Sequence, residues 1–398
     1  MKIQLTKTKT IDLNFGGGAK AKKAKVDLTG VEMFAGGAKG CPAVRISRKK
    51  SKWVLESIGY VAPPEGEMPV CWDDMPKQPS WEFPREFQAP GAALAVHSEM
   101  GSFGQASADA VIQEMMHGLG ASERIAATPS EPGKRRLGLK RPGASSAPVP
   151  AANSEPAAPT RVPSFPDAGV PVSENGRRFV VRPSAEEGFH LVSSLPEFQS
   201  LWLGRLLPEG KRPTASSIQL AESALMASVI AQPAFKETEG NLLAIFVLAD
   251  EIYFAGYKGG EPVLWRKCPT RGGYRAMRAA VKKTLGVDEE LIDSVLEDSL
   301  IDPRPALEPF LHPILEQLEL ARAYLSGKHG LNIETVLLTG VPCGAEHWRR
   351  YAEESLKLKL VAPGPFEGVV LAKGVELVDP EAHLVALGAA LAAAEAES

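Results

Sequence analysis

The hydrophobic positions of this chain fall into two regimes, separated by a long stretch with almost none. From Val26 to Val61, the runs VDLTGVEMF, AVRISR and WVLESIGYV are short and apolar or alternating. Glycine-rich AGGAKG and charged RKKSK punctuate them. Successive side chains of a strand point to opposite faces, so such runs predict an antiparallel meander joined by turns. APPEGEMP ends the pattern, since proline gives a ladder no donor. Residues 62–90 are proline-rich, carry Trp72, Trp81, Phe83 and Phe87, and read as extended chain. ALAVHS reads as a further short strand. ASADAVIQEMMHGLG has Ala110, Val111, Met115 and Leu119 on one helical stripe, closed by glycine.

Residues 126–176 are rich in Pro, Ala, Ser and Gly and poor in large apolar side chains. They bury too little surface to offset chain entropy, so the segment reads as a disordered linker. Beyond it the pattern is regular. RRFVVRPS and GFHLVSS read as strands and EFQSLWLGRLL as a helix. IQLAESALMASVIAQ reads as a second helix, with Leu220, Ala224, Ala227 and Ile230 on one face. LLAIFVLAD, EIYFAGYKGG and PVLWRKCP read as three strands with a Gly-Gly turn. GGYRAMRAAVKKTLG, DEELIDSVLEDSL and ALEPFLHPILEQLELARAYLSGKHG follow as helices. In the last of these, Pro309 and Pro313 place the start of the regular part near Pro313. IETVLLTG reads as a buried strand, CGAEHWRRYAEESLKL as a helix and HLVALGAALAAAE as a small-residue helix. Strands alternating with helices in this order predict an α/β protein.

Composition narrows the function classes. Hydrophobic residues are 44% and charged residues 23% of the 398, as in an ordinary folded protein of more than one unit. A net charge of −3 gives no electrostatic case for nucleic acid. Cys41, Cys71, Cys268 and Cys343 are far apart, form no CxxC, and suggest neither a metal centre nor a disulfide framework. No apolar run approaches the ~18–20 residues of a bilayer span, and MKIQLTKTKT lacks a signal-peptide core, so the expected compartment is the cytoplasm. Lys2, Lys7, Lys9, Lys20, Lys22, Lys23 and Lys25 give the first 25 residues a basic character. That tail suits either simple solvation or peripheral contact with an anionic membrane. The histidines are scattered, and no Ser/His/Asp order emerges. Trp348 and Tyr351, beside Arg349 and Arg350, read equally as an exposed binding edge and as part of a covering helix.

Three separated segments resemble the nucleotide-handling segments of the actin-like ATPase superfamily. VDLTGVEMF stands in the place of the first phosphate loop, LLAIFVLADEIYFAGY of the second, and VLLTGVPCG of the adenosine loop. WVLESIGYVAPPEGEMP, LPEGKRPTASSIQLAESAL and HLVALGAALAAAE are similar to further segments of one branch, the PilM family of type IV pilus assembly. FtsA and the cytoplasmic part of the secretion protein GspL are further kin. The resemblance covers residues 26–61 and 178–393. It implies an α/β fold of two actin-like (RNase H-like) lobes with a small inserted subdomain. The chain then divides into a basic tail (1–25), part of the first lobe (26–125), the linker (126–176), the inserted subdomain (177–235) and the second lobe (236–398). The resemblance also implies a cytoplasmic scaffold at the inner face of the inner membrane. Such a scaffold would bind the cytoplasmic tail of a bitopic PilN-like protein, with homo-oligomerisation left open.

The family's nucleotide chemistry makes demands this sequence does not meet. Phosphates need close backbone N–H groups, hence glycine, and magnesium needs a carboxylate or waters that one holds. Each phosphate loop of the family begins with Asp followed two residues later by Gly. Here Asp27 keeps the acid, Thr29 stands in the glycine's place, and Gly30 comes one step late. At the second loop Ile245 and Val247 replace both, and at the adenosine loop Thr339 and Gly340 lead into Val341 and Pro342. Asp27, Thr29, Gly30, Thr339 and Gly340 are therefore the expected remnants of a degenerate nucleotide site, with no catalytic residue and no metal ligand assigned. ATP and magnesium are the ligands the family implies, and these departures argue against both. The alternative is a working actin-like ATPase or sugar-kinase-like phosphotransferase on the same fold. A membrane-tethered filament fits less well, because AAAEAES lacks the basic and bulky pattern of an amphipathic anchor.

Overall fold

The computed structural model describes residues 26–33, 40–49, 52–64, 81, 83–96, 102–107, 177–183, 189–196, 199, 202–203, 217–269, 272–297 and 301–396. The basic tail, the 126–176 linker and all but the start of the helix read over ASADAVIQEMMHGLG lie outside these residues. Its first residues, up to Ser107, end a strand instead.

Along the chain, β1 (Asp27–Met33), β2 (Cys41–Lys49), β3 (Lys52–Val61) and β4 (Gly91–Val96) come first, then β5 (Ser102–Ser107), β6 (Arg177–Pro183) and β7 (Phe189–Pro196). β8 (Ser217–Leu220), α1 (Ala221–Ile230) and α2 (Pro233–Glu237) precede the hairpins of β9 (Leu242–Val247), β10 (Ile252–Lys258) and β11 (Glu261–Lys267). Next are α3 (Tyr274–Leu285), α4 (Ile292–Glu297), α5 (Arg304–His329), β12 (Thr335–Thr339) and α6 (Ala345–Leu356). β13 (Lys359–Val361), β14 (Val370–Leu371) and α7 (Leu384–Ala396) complete the order.

These strands form three sheets, ordered β14-β3-β2-β1-β4-β8, β11-β10-β9-β12-β13 and β5-β7-β6. The first two are the sheets of the two lobes. The expected meander is present, with β2 antiparallel to both β1 and β3. β4 joins parallel to β1, and its six residues are all buried, as small and aliphatic GAALAV allows in a central strand. In β9 the apolar run LLAIFV is buried on both faces. Leu242, Ala244 and Phe246 enter one core, and Leu243, Ile245 and Val247 another. The third sheet is small and antiparallel, drawing β5 from before the linker and β6 and β7 from after it.

Two further segments differ from their sequence reading. IQL does not begin the helix: Ser217–Leu220 pairs in parallel with β4, because that strand still has a free edge there, and α1 starts only at Ala221. From Ala221 to Val229 α1 is buried on every side, so Leu220, Ala224, Ala227 and Ile230 do not make a stripe. The division of the chain shifts with it, since residues 217–220, read with the inserted subdomain, belong to the first sheet. The α5 helix begins at Arg304, well before Pro313, with Pro309 and Pro313 inside it. Each proline leaves the carbonyl four residues earlier, of Pro305 or Pro309, without a donor. Both of those residues are exposed, so no buried carbonyl is stranded.

The lobes meet through α7 and α1. One core holds Leu28, Val44, Ile46 and Leu55 of the first sheet, Leu242, Ala244, Phe246 and Leu337 of the second, and most of α7. Thus α7, read with the second lobe, packs on the first sheet as well. Close approach depends on two glycines. A Cβ at Gly30 would lie 2.0 Å from the Ala386 carbonyl oxygen, and one at Gly388 would lie 1.8 Å from that of Ala224. Buried polar side chains fix the same contact. Gln219 Nε2 donates to Ala389 O at 3.0 Å, and Tyr257 Oη donates to Met226 O at 2.8 Å. His383, fully buried, sits between Gly59 O at 2.7 Å and Asp379 O at 2.8 Å, tying the start of α7 to β3.

Candidate nucleotide-site segments and what they bind instead

Strand periodicity decides what β1 can do. Residues two apart share a face, so Asp27 and Thr29 point one way and Gly30 the other. Asp27 lies opposite Ser47 in the β1–β2 ladder, at the start of a 7-residue strand about 20 Å long. The sequence reading put it in a phosphate loop. The structure puts it at the strand end away from the β1–β2 turn, and that turn lies outside the described residues.

Asp27, Thr29 and Gly30 are each engaged within the protein. Both Asp27 carboxylate oxygens accept from Arg45, Nε and Nη2 each at 2.9 Å, in a bidentate fork. The hydrogen bond to Asp27 raises the Arg45 pKa above its ordinary value, outweighing the desolvation that lowers it. Thr29 is fully buried and its hydroxyl donates to Phe87 O at 2.7 Å. Gly30 seats α7, as described above. Arg45 stands diagonally across the ladder from Asp27, a position readable from the sequence once the meander register is known.

At the second segment the β9–β10 turn closes tightly, with Leu248 N donating to Glu251 O at 2.8 Å. Its acids are paired: Asp250 with Arg275 at 2.8 Å, and Glu251 with Lys267 and Tyr253. Exposed helix N-terminal N–H groups are ready anion sites. At the start of α3, however, Tyr274 N and Arg275 N donate to Leu248 O and Ala249 O, at 2.8 and 2.9 Å. Gly273 permits this docking, because a Cβ there would lie 1.8 Å from Leu248 O.

The adenosine-loop segment is also closed by the protein itself. Thr339 is buried and its Oγ1 has no hydrogen-bond partner. Gly340 adopts φ +85°, and a Cβ there would stand 2.2 Å from Val247 O, so this glycine lets the chain leave β12 close beside the end of β9. Val341 packs against the second-lobe core. At the mouth of α6, Gly344 N donates to the Glu297 carboxylate at 2.9 Å, so a side chain of α4 occupies the positive helix end. Beside it the Cys343 thiol donates to Asp293 at 3.1 Å and contacts Tyr274 Oη. Burial above all, with Asp293 adding to it, pushes that thiol up to about 12, so it stays protonated. Trp348 is fully buried against Met277 and Phe310, which removes the exposed-edge reading.

The five remnant residues stand on β1 of the first sheet and at the end of β12 in the second. Asp27 and Thr29 face one side of the first sheet, Gly30 faces α7, and Thr339 with Gly340 ends a strand of the other sheet. Among the described residues, the Asp27 carboxylate, the Tyr274 and Arg275 N–H groups and Gly344 N are hydrogen-bonded within the protein. Glu297 and Arg45, which do much of that closing, escaped the sequence reading. No group of three His, Cys, Asp or Glu among the described residues could hold a metal ion. No helix among them is long and apolar enough to cross a membrane.

No protein-family model and no curated protein matches the chain. Among solved structures, it is similar to a PilM–PilN type IV pilus biogenesis complex at 14% identity and a TM-score of 0.52, covering 93% of this chain and 99% of that one. A Bacteroides thetaiotaomicron protein with an actin-like ATPase fold and unknown function aligns at 9% identity and a TM-score of 0.39, covering 92% and 99%. The cytoplasmic domain of EpsL, an inner membrane component of the Vibrio cholerae type II secretion system, aligns at 10% identity and 0.28, covering 66% and 78%. With its two α/β lobes packed across a shared helix pair, this chain has the actin-like fold of PilM.

Proposed function

We propose that this protein is a cytoplasmic scaffold of a type IV pilus or type II secretion-like assembly. It works at the inner face of the inner membrane by binding the cytoplasmic tail of a bitopic PilN-like protein, and it does not turn over nucleotide. The observation that carries the reading is the fate of β1, in a chain with the fold of PilM. Asp27 is clamped by Arg45, Thr29 is turned to Phe87, and Gly30 is filled by α7. A lobe so closed has surfaces to offer but no preorganised phosphate cradle, and short-peptide capture on an α/β lobe needs only an edge or a groove.

Two measurements test it together. Immobilised peptide covering the cytoplasmic tail of the bitopic pilus subunit should retain the full-length chain. Calorimetric titration with Mg-ATP should give no heat beyond dilution. Tight Mg-ATP binding that disappears in Asp27→Ala would replace the scaffold with an actin-like ATPase or phosphotransferase. Failure to retain the chain on any such tail would remove the partner.

A further inference from the structure

His383 is fully buried with both ring nitrogens against main-chain carbonyl oxygens. Nδ1 lies 2.8 Å from Asp379 O in its own segment, and Nε2 lies 2.7 Å from Gly59 O of β3. β14 pairs with β3 at Val54 and Leu55, so farther along that edge strand pairing gives way to this side-chain contact. The Tyr60 ring packs edge-on against the imidazole, with centroids 4.9 Å apart. A carbonyl oxygen only accepts, so each contact needs a proton on the ring nitrogen. The neutral ring carries one proton and serves one carbonyl, which leaves its lone pair facing the other oxygen. The imidazolium carries two protons and serves both.

The groups around the ring suit the charged form. In its own segment are the Asp379 carboxylate, which accepts from Tyr60 Oη at 3.2 Å, and the part-buried Glu381. Glu32 of β1 is buried and, two residues from Gly30, shares the sheet face that carries α7. Cys41 and Arg45 of β2 alternate to the opposite face, where Asp27 holds Arg45. Lys373 and Glu376 are exposed in the connection from β14, and α7 brings no titratable side chain between Leu384 and Ala394.

We propose that His383 is a pH-sensitive tie between the first sheet and α7, the helix that both lobes share. The doubly protonated ring makes two bonds and the singly protonated ring makes one. The tie is complete at the acidic end of the range of about pH 5–8 in which histidine changes charge, and it weakens as pH rises. Burial of the charge is tolerable because both N–H groups have acceptors. Neither a protein partner nor a nucleotide enters this device, so it stands apart from the scaffold reading.

Hydrogen exchange of the full-length chain at about pH 5.5 and about pH 8, corrected for the intrinsic pH dependence of amide exchange, tests the proposal. Protection over residues 380–388 is expected to fall roughly tenfold at the higher pH, the worth of one hydrogen bond from a charged group. His383→Gln, whose side chain does not titrate, should show the weaker protection at both pH values. Asp379→Asn keeps the carbonyl, suits the positive φ of 45° and should retain the pH dependence. Long-range proton–nitrogen spectra of the histidine-labelled parent, which need no variant, should show both His383 ring nitrogens protonated at the lower pH and one at the higher. Equal protection of the parent at both pH values would overturn the proposal, as would a ring that keeps a single proton throughout. So would loss of the pH dependence in Asp379→Asn, which would assign it to the carboxylate.

Discussion

Gly388→Val is expected to prevent the two lobes from packing and to leave little soluble, cooperatively melting protein. A Cβ at this position would lie 1.8 Å from Ala224 O, 2.5 Å from its carbonyl carbon and 3.2 Å from its Cα. All three are backbone atoms of α1, so no rotamer change relieves the overlap. Nor can α7 retreat, because on its other side Gly30 brings β1 against the Ala386 carbonyl, and Ala386, Ala389, Ala390 and Ala393 are fully buried. Overpacking a core costs about 1–3 kcal/mol when side chains can shift, and more when they cannot. Set against a total stability of about 5–15 kcal/mol, a main-chain overlap at the interlobe core removes most of the margin. Circular dichroism melting of the purified variant reads the effect, and a midpoint within a few degrees of the parent would contradict it. Gly327→Ala supplies the control. That glycine lies in α5 with nothing within 4 Å of its absent Cβ, so the exchange should stabilise by about 0.5–1 kcal/mol.

The contrast between those glycines shows where sequence reading stops. Both stand in helices, Gly388 in an apolar run and Gly327 in a polar one, but neither context says which backbone approaches. What separates them is a helix from far along the chain that arrives at Gly388 and not at Gly327. The strands β1 to β4 and β9 to β12 were legible, because each is a short apolar or alternating run bounded by turn residues. The β8–α1 boundary was not, because IQL and AESAL are both apolar and only the free edge of β4 selects a strand. The α5 start was misread for a different reason. A proline is a stop signal unless the carbonyl it strands faces outward, and that depends on which side of the helix is buried. The candidate site depends on a third level of information. Asp27, Thr29 and Gly30 were compared with a family string as if they shared one surface, yet strand alternation sends Gly30 to the opposite face. Arg45 and Glu297, the residues that engage Asp27 and the α6 N-terminus, become visible only with the strand register and the α4–α6 contact in hand.

Trp348→Ala tests the closure of the adenosine-loop segment, with an expected loss of about 3–5 kcal/mol from the second lobe. The indole is fully buried, its Nε1 donates to Met277 Sδ at 3.4 Å, and its ring meets Phe310 edge-on at 6.1 Å. It therefore ties α6 to both α3 and α5, and its loss leaves a cavity between three helices. Trp348 belongs to a core confined to the second lobe, whereas Gly388 lies in the core the two lobes share. Denaturant titration followed by far-ultraviolet dichroism reads the loss. Trp348→Ala should lower the denaturation midpoint with the slope unchanged. A shift under about 1 kcal/mol would mean that the indole is not the brace described. Mg-ATP should still not bind to the folded fraction, because Glu297 remains on Gly344 N and Val341 remains packed. If the cavity did admit nucleotide, Trp348 itself would be what closes the segment, and the carboxylate at the mouth of α6 would be incidental.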